Sequence, residues 1–431
     1  MSTPVINAID NVNQTSLNTV FAAVAADPTA RDNLSQSDRN IDAVSTNVGV
    51  IEELNVSEEV IRKMLCRREG RDPANFADLD AVAADQGLMQ AIAARQESSK
   101  ILARSQKASA AAIASQTARD EMFVSQTAMQ EIAASQTAMQ EATSSQTAMQ
   151  EIAASQTAMT EVGASQTAMQ EVAASQTAMT EIDQVDFAVR AIMCGTTSQD
   201  PTSFADADAI SQDTAAMSEI AGNATTMNTI AASQTAMQEV GASQTAMEEM
   251  ASSSTAMTEI DQVGFAVRAI MCGTTSQDPT SFADADAISQ DAAAMSEIAG
   301  NATTMNTIAA SQTAMDALAD SQTALDEIGN NAIVQNTVYN NGTAISALNS
   351  SSLIENIGGN VQKGAYQTFK NDRVILLSQN PGAFGNRENQ AQFGGNDNSF
   401  PHTADRIRRE SNDFFSRNTR HNASYIDISN S

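Results

Sequence analysis

From Ser125 to Thr180 the run Ser-Gln-Thr-Ala-Met returns every ten residues, each time followed by a polar pair and an aliphatic residue. One unit reads Ser135, Gln136, Thr137, Ala138, Met139, Gln140, Glu141, with Ala142 standing where its neighbours have Ile132 and Ile152. A period this short makes the chain quasi-one-dimensional, because no unit can bury an apolar face by itself and each must pack on its neighbours.

The same ruler extends well beyond that block. Apolar pairs spaced i, i+3 recur at Leu17 with Val20, Ile41 with Val44, Ile51 with Leu54 and Ile61 with Met64. The next pair, Leu79 with Val82, comes eighteen residues on instead of ten, after which the ten-step resumes at Met89 with Ile92. An eighteen-residue step recurs from Val189 to Ala207 and from Val267 to Ala285. The segment Met179 to Ala232 returns almost letter for letter as Met257 to Ala310. Cys66, Asp72, Pro73 and Phe76 align with Cys194, Asp200, Pro201 and Phe204, so the three lengthened steps are one device used three times. The ruler fades through Leu325 with Ile328 and Ile345 with Leu348 and stops near Gly358.

Two apolar residues at i, i+3 with Ala nearby, and no alternation, favour helix over strand. In an unbroken α-helix ten residues turn through roughly 1000°, about 80° short of three full turns, so an apolar stripe would drift round the rod. An interruption in every unit removes the drift. Preferred N-cap residues recur at Ser165, Asn223, Ser233 and Ser243, and Gly163, Gly222 and Gly241 stand just ahead of them, where a helix end would be relieved. Thr167 with Gln170 and Thr245 with Glu248 have the spacing of a capping box. Each lengthened step follows Cys-Gly or Cys-Arg and ends in Asp-Pro, a helix stop followed by a restart. The expected fold is therefore mainly α, an elongated array of short helices joined by tight corners. Isolated helices below about 12 residues are marginal, so these must stack along the chain or on other chains. The domains expected are an N-terminal attachment segment at 1–52, a shaft at 53–357 with longer loops near 66–73, 194–201 and 272–279, and a small mixed α/β end domain at 358–431.

The formal charge of -29 argues against nucleic acid as the partner of the whole chain. Only five of the 23 cations are Lys (63, 100, 107, 363 and 370), a composition that suits high salt, where screening shortens the reach of like-charge repulsion. The first residues, MSTPVINAIDNVNQT, carry neither a basic nor an apolar signal region, and nowhere do eighteen apolar residues run together. The expectation is a protein made soluble in the host cytoplasm without a signal peptide or membrane insertion.

Candidate chemistry is sparse. Asp200, Asp206, Asp208 and Asp213, repeated as Asp278, Asp284, Asp286 and Asp291, resemble a calcium loop but lack its Gly and closing Glu, so they are read as helix-start residues and no metal site is expected. Cys66, Cys194 and Cys272 are read as buried small hydrophobes and the Met ladder as core. No cofactor motif is present. From Gly358 the chain turns mildly cationic, with Arg373 to Leu377 and Tyr425 to Ile428 read as strands and Thr403 to Arg417 as a helix. His402 and His421 lie near Asp405, Asp413 and Asp427, but without a nucleophile or phosphate loop no enzyme is expected. The aromatic and Arg content there, Phe384, Phe393, Phe400, His402, Arg408, Arg409, Phe414, Phe415 and Tyr425, suits a recognition surface or a subunit contact, and the Phe residues suit equally well the core of a small end domain.

With Ala before SQTAM and a polar pair, Ile or Val, and Ala after it, the chain resembles the tail-fibre and related appendage proteins of tailed viruses. Tandem units of the type AS-x-TAM-x-x-V-A are frequent in them. The three Asp-Pro segments, such as Asp200 to Ala209, look like those that introduce such arrays. The resemblance covers roughly residues 53 to 330. It implies a virion structural protein, commonly a homotrimer, joined to other tail proteins at one end and to a host surface receptor at the other. The acidity and scarcity of Lys fit a haloarchaeal host. The alternatives are a cellular surface spacer or adhesin using the same ruler, and a fibre with a polymer-degrading tip.

Overall fold

A computed structural model describes residues 58–331 and 341–351, positions 334, 337 and 338, and six strands between 354 and 427. The attachment segment expected at 1–52 lies outside the described residues. The chain divides into two compact units, one of residues 1–207 with 228–233 and the other of 208–227 with 234–431.

In the first unit the regular decapeptide is one helix and one corner residue, although some helices, such as Gln126–Ala133 and Gln176–Ile182, end one or two residues earlier. The helix Gln136–Ser144 ends at Ser145, and the next, Gln146–Ala154, begins immediately after it. Ser145 is extended, at φ -103° and ψ 110°, and caps both helices at once. Its N–H donates to Ala142 O (3.0 Å), its carbonyl accepts from Met149 N (3.0 Å) and its hydroxyl oxygen accepts from Ala148 N (3.3 Å). One residue thus satisfies donors and acceptors that helix ends otherwise leave open.

Every corner also resets the register. Counting from the corner Ser, the third, fourth, seventh and eighth residues face inward, and in one helix these are Ala148, Met149, Ile152 and Ala153, all buried. Helices pack on the third one after them, as Gln126–Ala133 does on Gln156–Ala164 and Gln146–Ala154 on Gln176–Ile182. Three helices therefore make one coil, thirty residues long, and the Met and Ile of successive coils stack as a continuous core within one chain. Burying each such side chain contributes roughly 1.5–3 kcal/mol relative to leaving it in water.

Coils are also tied at their corners and along their outer faces. Ser135 Oγ donates to Ala103 O (2.6 Å) and Ser155 Oγ to Phe123 O (2.7 Å), in both cases one coil back. Outside, Gln96 Nε2 donates to Glu131 Oε1 (2.9 Å), Gln126 to Glu161 (2.8 Å), Gln136 to Glu171 (2.9 Å) and Gln146 to Glu181 (2.8 Å). Gln, a neutral donor, is the partner of these four carboxylates, so their links add no cation to a strongly acidic array, while Glu151 is held by Arg119 (2.8 Å). Replacing Ser135, which is fully buried, by Ala is expected to cost about 1–2 kcal/mol through the lost cap, and more as Ala103 O loses its donor. Thr147→Ala on the exposed face is expected to stay within about 0.5 kcal/mol by denaturant titration.

The second unit repeats the rule: Thr214–Ala221 packs on Gln244–Ser252, Gln234–Ala242 on Gly264–Cys272, and Gln312–Ala319 on Gly342–Ser350. Beyond it, the described residues are strands, paired antiparallel as Ile354–Val361 and Val374–Pro381 on either side of His421–Asp427, and Tyr366–Thr368 and Ala391–Phe393 on either side of Asp413–Ser416. Asp413–Ser416 falls inside the stretch read from sequence as a helix; the rest of that stretch lies outside the described residues. Among the described residues no helix is long and apolar enough to cross a membrane.

Two local readings need correction. Thr167 and Thr245 are not capping-box residues, because the caps are Ser165 and Ser243, whose side chains accept from Ala168 N and Ala246 N. Nor do the glycines relieve helix ends. Gly163 and Gly241 lie within helices, where a Cβ would stand 2.7 Å from Ala191 O and 3.0 Å from Ala269 O respectively. They permit close approach of the coil above. Gly222 ends its helix in the ordinary right-handed region, at φ -80°.

Candidate interaction surface

The lengthened corners are where the chain departs from pure repetition. After Gly264–Cys272 the chain turns at Gly273, φ +43°, passes a short 3₁₀ turn at Pro279–Ser281 and restarts as Ala285–Gln290. The aspartates do local work throughout. Asp278 accepts from Thr280 N (2.8 Å) and Thr280 Oγ1 (2.7 Å), and Asp284 accepts from Ala287 N (2.8 Å). Asp200 accepts in the same way from Thr202, whose hydroxyl and then backbone N–H hold the Asp200 carboxyl below its usual range. The calcium-like spacing is thus cap spacing. Among the described residues no three His, Cys, Asp or Glu converge as a metal site.

An arginine four residues before each cysteine holds the corner, a role the sequence reading passed over. Arg190 Nη1 donates to Pro201 O (2.9 Å) and Phe204 O (2.7 Å), spanning the 3₁₀ turn, while its guanidinium lies 5.3 Å from the centre of the Phe187 ring. Arg62 makes the same pair of bonds to Pro73 O and Phe76 O. Arg268 reaches Pro279 O (3.1 Å) and Ala283 O (3.0 Å) and lies over Phe265. Arg, Pro and Phe recurring at one spacing in all three copies was the available signal.

The three cysteines are buried, as expected. Burial pushes the Cys272 thiol up to about 12 and that of Cys66 up to about 11. The fold therefore disfavours the thiolate: below the unfolded thiol value of about 8.5 nothing is lost, and stability falls as pH rises from there toward the folded values. Iodoacetamide at pH 8 is expected to leave all three thiols unmodified in the folded protein and to label them in denaturant.

A cleft of about 370 Å³ lies beside the third corner, lined by Gly264, Val267 and Ala317 with Asp284, Asp286, Asp316 and Asp320. Gly264 stands where the preceding copy has Asp186, whose carboxylate pairs with Arg190 Nε at 2.9 Å. All four aspartates are exposed, and two are engaged, Asp284 as a cap and Asp316 with Gln312 Nε2 (2.7 Å). It is an acidic surface feature without an assembled ligand set.

Of the recognition residues read from sequence, Phe393 stands opposite Phe414, Phe415 opposite Tyr366 and Gln392, and Tyr425 opposite Glu355 and Leu376 in the strand registers. The backbone pairing thus brings Phe393, Phe414 and Phe415 into one three-stranded sheet and places Tyr425 in the other. Phe384, Phe400, His402, Arg408 and Arg409 lie outside the described residues. No family model matches the chain, and no curated protein matches it.

Proposed function

We propose that this protein is a structural spacer, a subunit of a virus tail fibre or related tail appendage whose repeats set a reach and whose ends make the specific contacts. The observation that carries the reading is how the decapeptide uses its side chains. Ala, Met and Ile stack, Ser caps and ties, and Gln and Glu link neighbouring coils, so that the repeat is given over to its own propagation. Its resemblance to ASxTAMxxV-type appendage proteins supplies the setting. The core closes within one chain, so the homotrimer implied by that resemblance would be joined through residues 1–57 or 352–431, with host-receptor binding assigned to the aromatic and Arg residues of the C-terminal end.

The test is composition of the particle. Mass spectrometry of purified virions is expected to find this chain, and its absence from them while abundant in infected cells would overturn the proposal in favour of a cellular spacer. Light scattering of the full chain is expected to give three times the 45.3 kDa chain mass.

A further inference from the structure

The helix Ala302–Ala310 breaks the stacking rule of its neighbours. It is the third helix after the lengthened corner, and it packs not only on Gly264–Cys272, three helices back, but more extensively on Gln244–Ser252, five back. Its sequence is fitted to that second neighbour. Where ordinary units have a Glu, such as half-buried Glu141, it has Thr307, fully buried and donating to Met247 O (3.1 Å). Where they have Ala, as at Ala138, it has Thr304, also fully buried, whose hydroxyl accepts from Thr274 N of the corner (3.2 Å). Asn301, its cap, donates through Nδ2 to Thr274 O (3.0 Å). Asp261 then fixes the next helix, accepting from Ser311 Oγ and from Gln312 N (3.0 Å).

The preceding copy shares the two bonds to the earlier helices, while its corner is tied differently, Thr196 N donating to Gly163 O (2.9 Å). Thr229, buried, donates to Met169 O (3.3 Å), and Ser233 Oγ donates to Asp183 Oδ1. The first corner reaches the same two helix positions with different atoms: Arg95 pairs with Glu69 (3.3 Å) and buried Ser98 donates to Glu69. A longer corner and a hydroxyl-bearing third helix therefore belong together, since a Glu at the Thr307 position would be a buried charge without a partner.

We infer that residues 233–310, from one such junction to the next, form a removable cassette, and that the protein changes length in steps of this cassette without any new kind of contact. If they are removed, Ser311 follows Ala232 and presents to Asp183 the same Ser-Gln-Thr-Ala-Met that Ser233 presents, and Thr229 keeps its bond to Met169. This deepens the spacer reading by naming its length step. Its test is a folding measurement, so it can fail while the spacer reading stands, and the particle test can fail while the cassette stands.

Three full-length-derived chains decide it by thermal melting and circular dichroism. Deletion of residues 233–310 is expected to keep the helical signal per residue and a melting temperature within roughly 2 °C of the parent. Thr307→Glu is expected to melt at least roughly 4 °C lower. Deletion of 274–281, which restores a plain ten-residue step but strands the threonine helix, is expected to melt lower than the cassette deletion although far less is removed. A cassette deletion that aggregates or melts well below the parent overturns the inference, as does a Thr307→Glu protein that melts with the parent.

Discussion

Inserting a single alanine after Gln150 is expected to destabilise the array by at least about 2–5 kcal/mol, the cost of unseating one large core side chain, whereas inserting a complete ten-residue unit after Ser155 is expected to be nearly neutral. One extra residue rotates the remainder of the helix by about 100°, which carries Ile152 and Ala153 off the inward face. It also moves Ser155, whose hydroxyl now donates to Phe123 O at 2.7 Å. A whole unit brings its own corner, so every downstream helix again finds an equivalent partner three helices back. Guanidinium titrations followed at 222 nm distinguish the two. Equal destabilisation by both insertions would show that the corner does not reset the register. Because long repeat arrays lose two-state behaviour, the midpoint and slope should be compared rather than one extrapolated free energy.

Gly163→Val carries the second large effect. Any Cβ at 163 would sit 2.7 Å from the carbonyl oxygen of Ala191, and that oxygen belongs to backbone that has no rotamer with which to yield. The helix must draw back, which also breaks the bond from Thr196 N to Gly163 O, now 2.9 Å. Overpacking of this kind costs about 1–3 kcal/mol, and the lost backbone bond adds to it. Gly300→Ala is the internal contrast. Nothing lies within 4 Å of a Cβ there, and its helix position favours Ala, so a gain of about 0.5–1 kcal/mol is expected from the smaller entropy of the unfolded chain. If both glycine variants shift the denaturation midpoint in the same direction, the close-approach account of Gly163 is wrong.

These two cases mark where sequence reasoning succeeds and where it stops. Interrupted helices are what periodicity favours over a continuous rod, and the structure decides for them: a stripe repeating at ten drifts round a continuous helix, and Ser, Asn and Thr recur where a new helix would need a cap. The lengthened corners and their common origin were likewise legible, because Cys66, Cys194 and Cys272 sit at the same place in each. The glycines were misread for a reason that is itself physical. A Gly near a helix end has the same local signature whether it supplies a left-handed turn or a missing Cβ, and only Ala191 approaching from the next coil distinguishes the two. The arginine clamps were missed because their partners are carbonyl oxygens, which every residue possesses.

The sequence by itself determined the unit: its length, its helical state, its inward residues and the corners at which it ends, all of which depend on interactions within about ten residues. It did not determine how many units close a coil, whether neighbouring coils belong to one chain or several, or why Thr229 and Thr307 replace Glu. Those depend on the angle at which one extended residue sends the chain into its next helix, and on contacts 30 to 60 residues apart that leave no periodic trace. Tertiary structure settled them because the angle repeated at Ser135, Ser145 and Ser155 brings every third helix back over the first, so that the buried Met and Ile of one chain become each other's core.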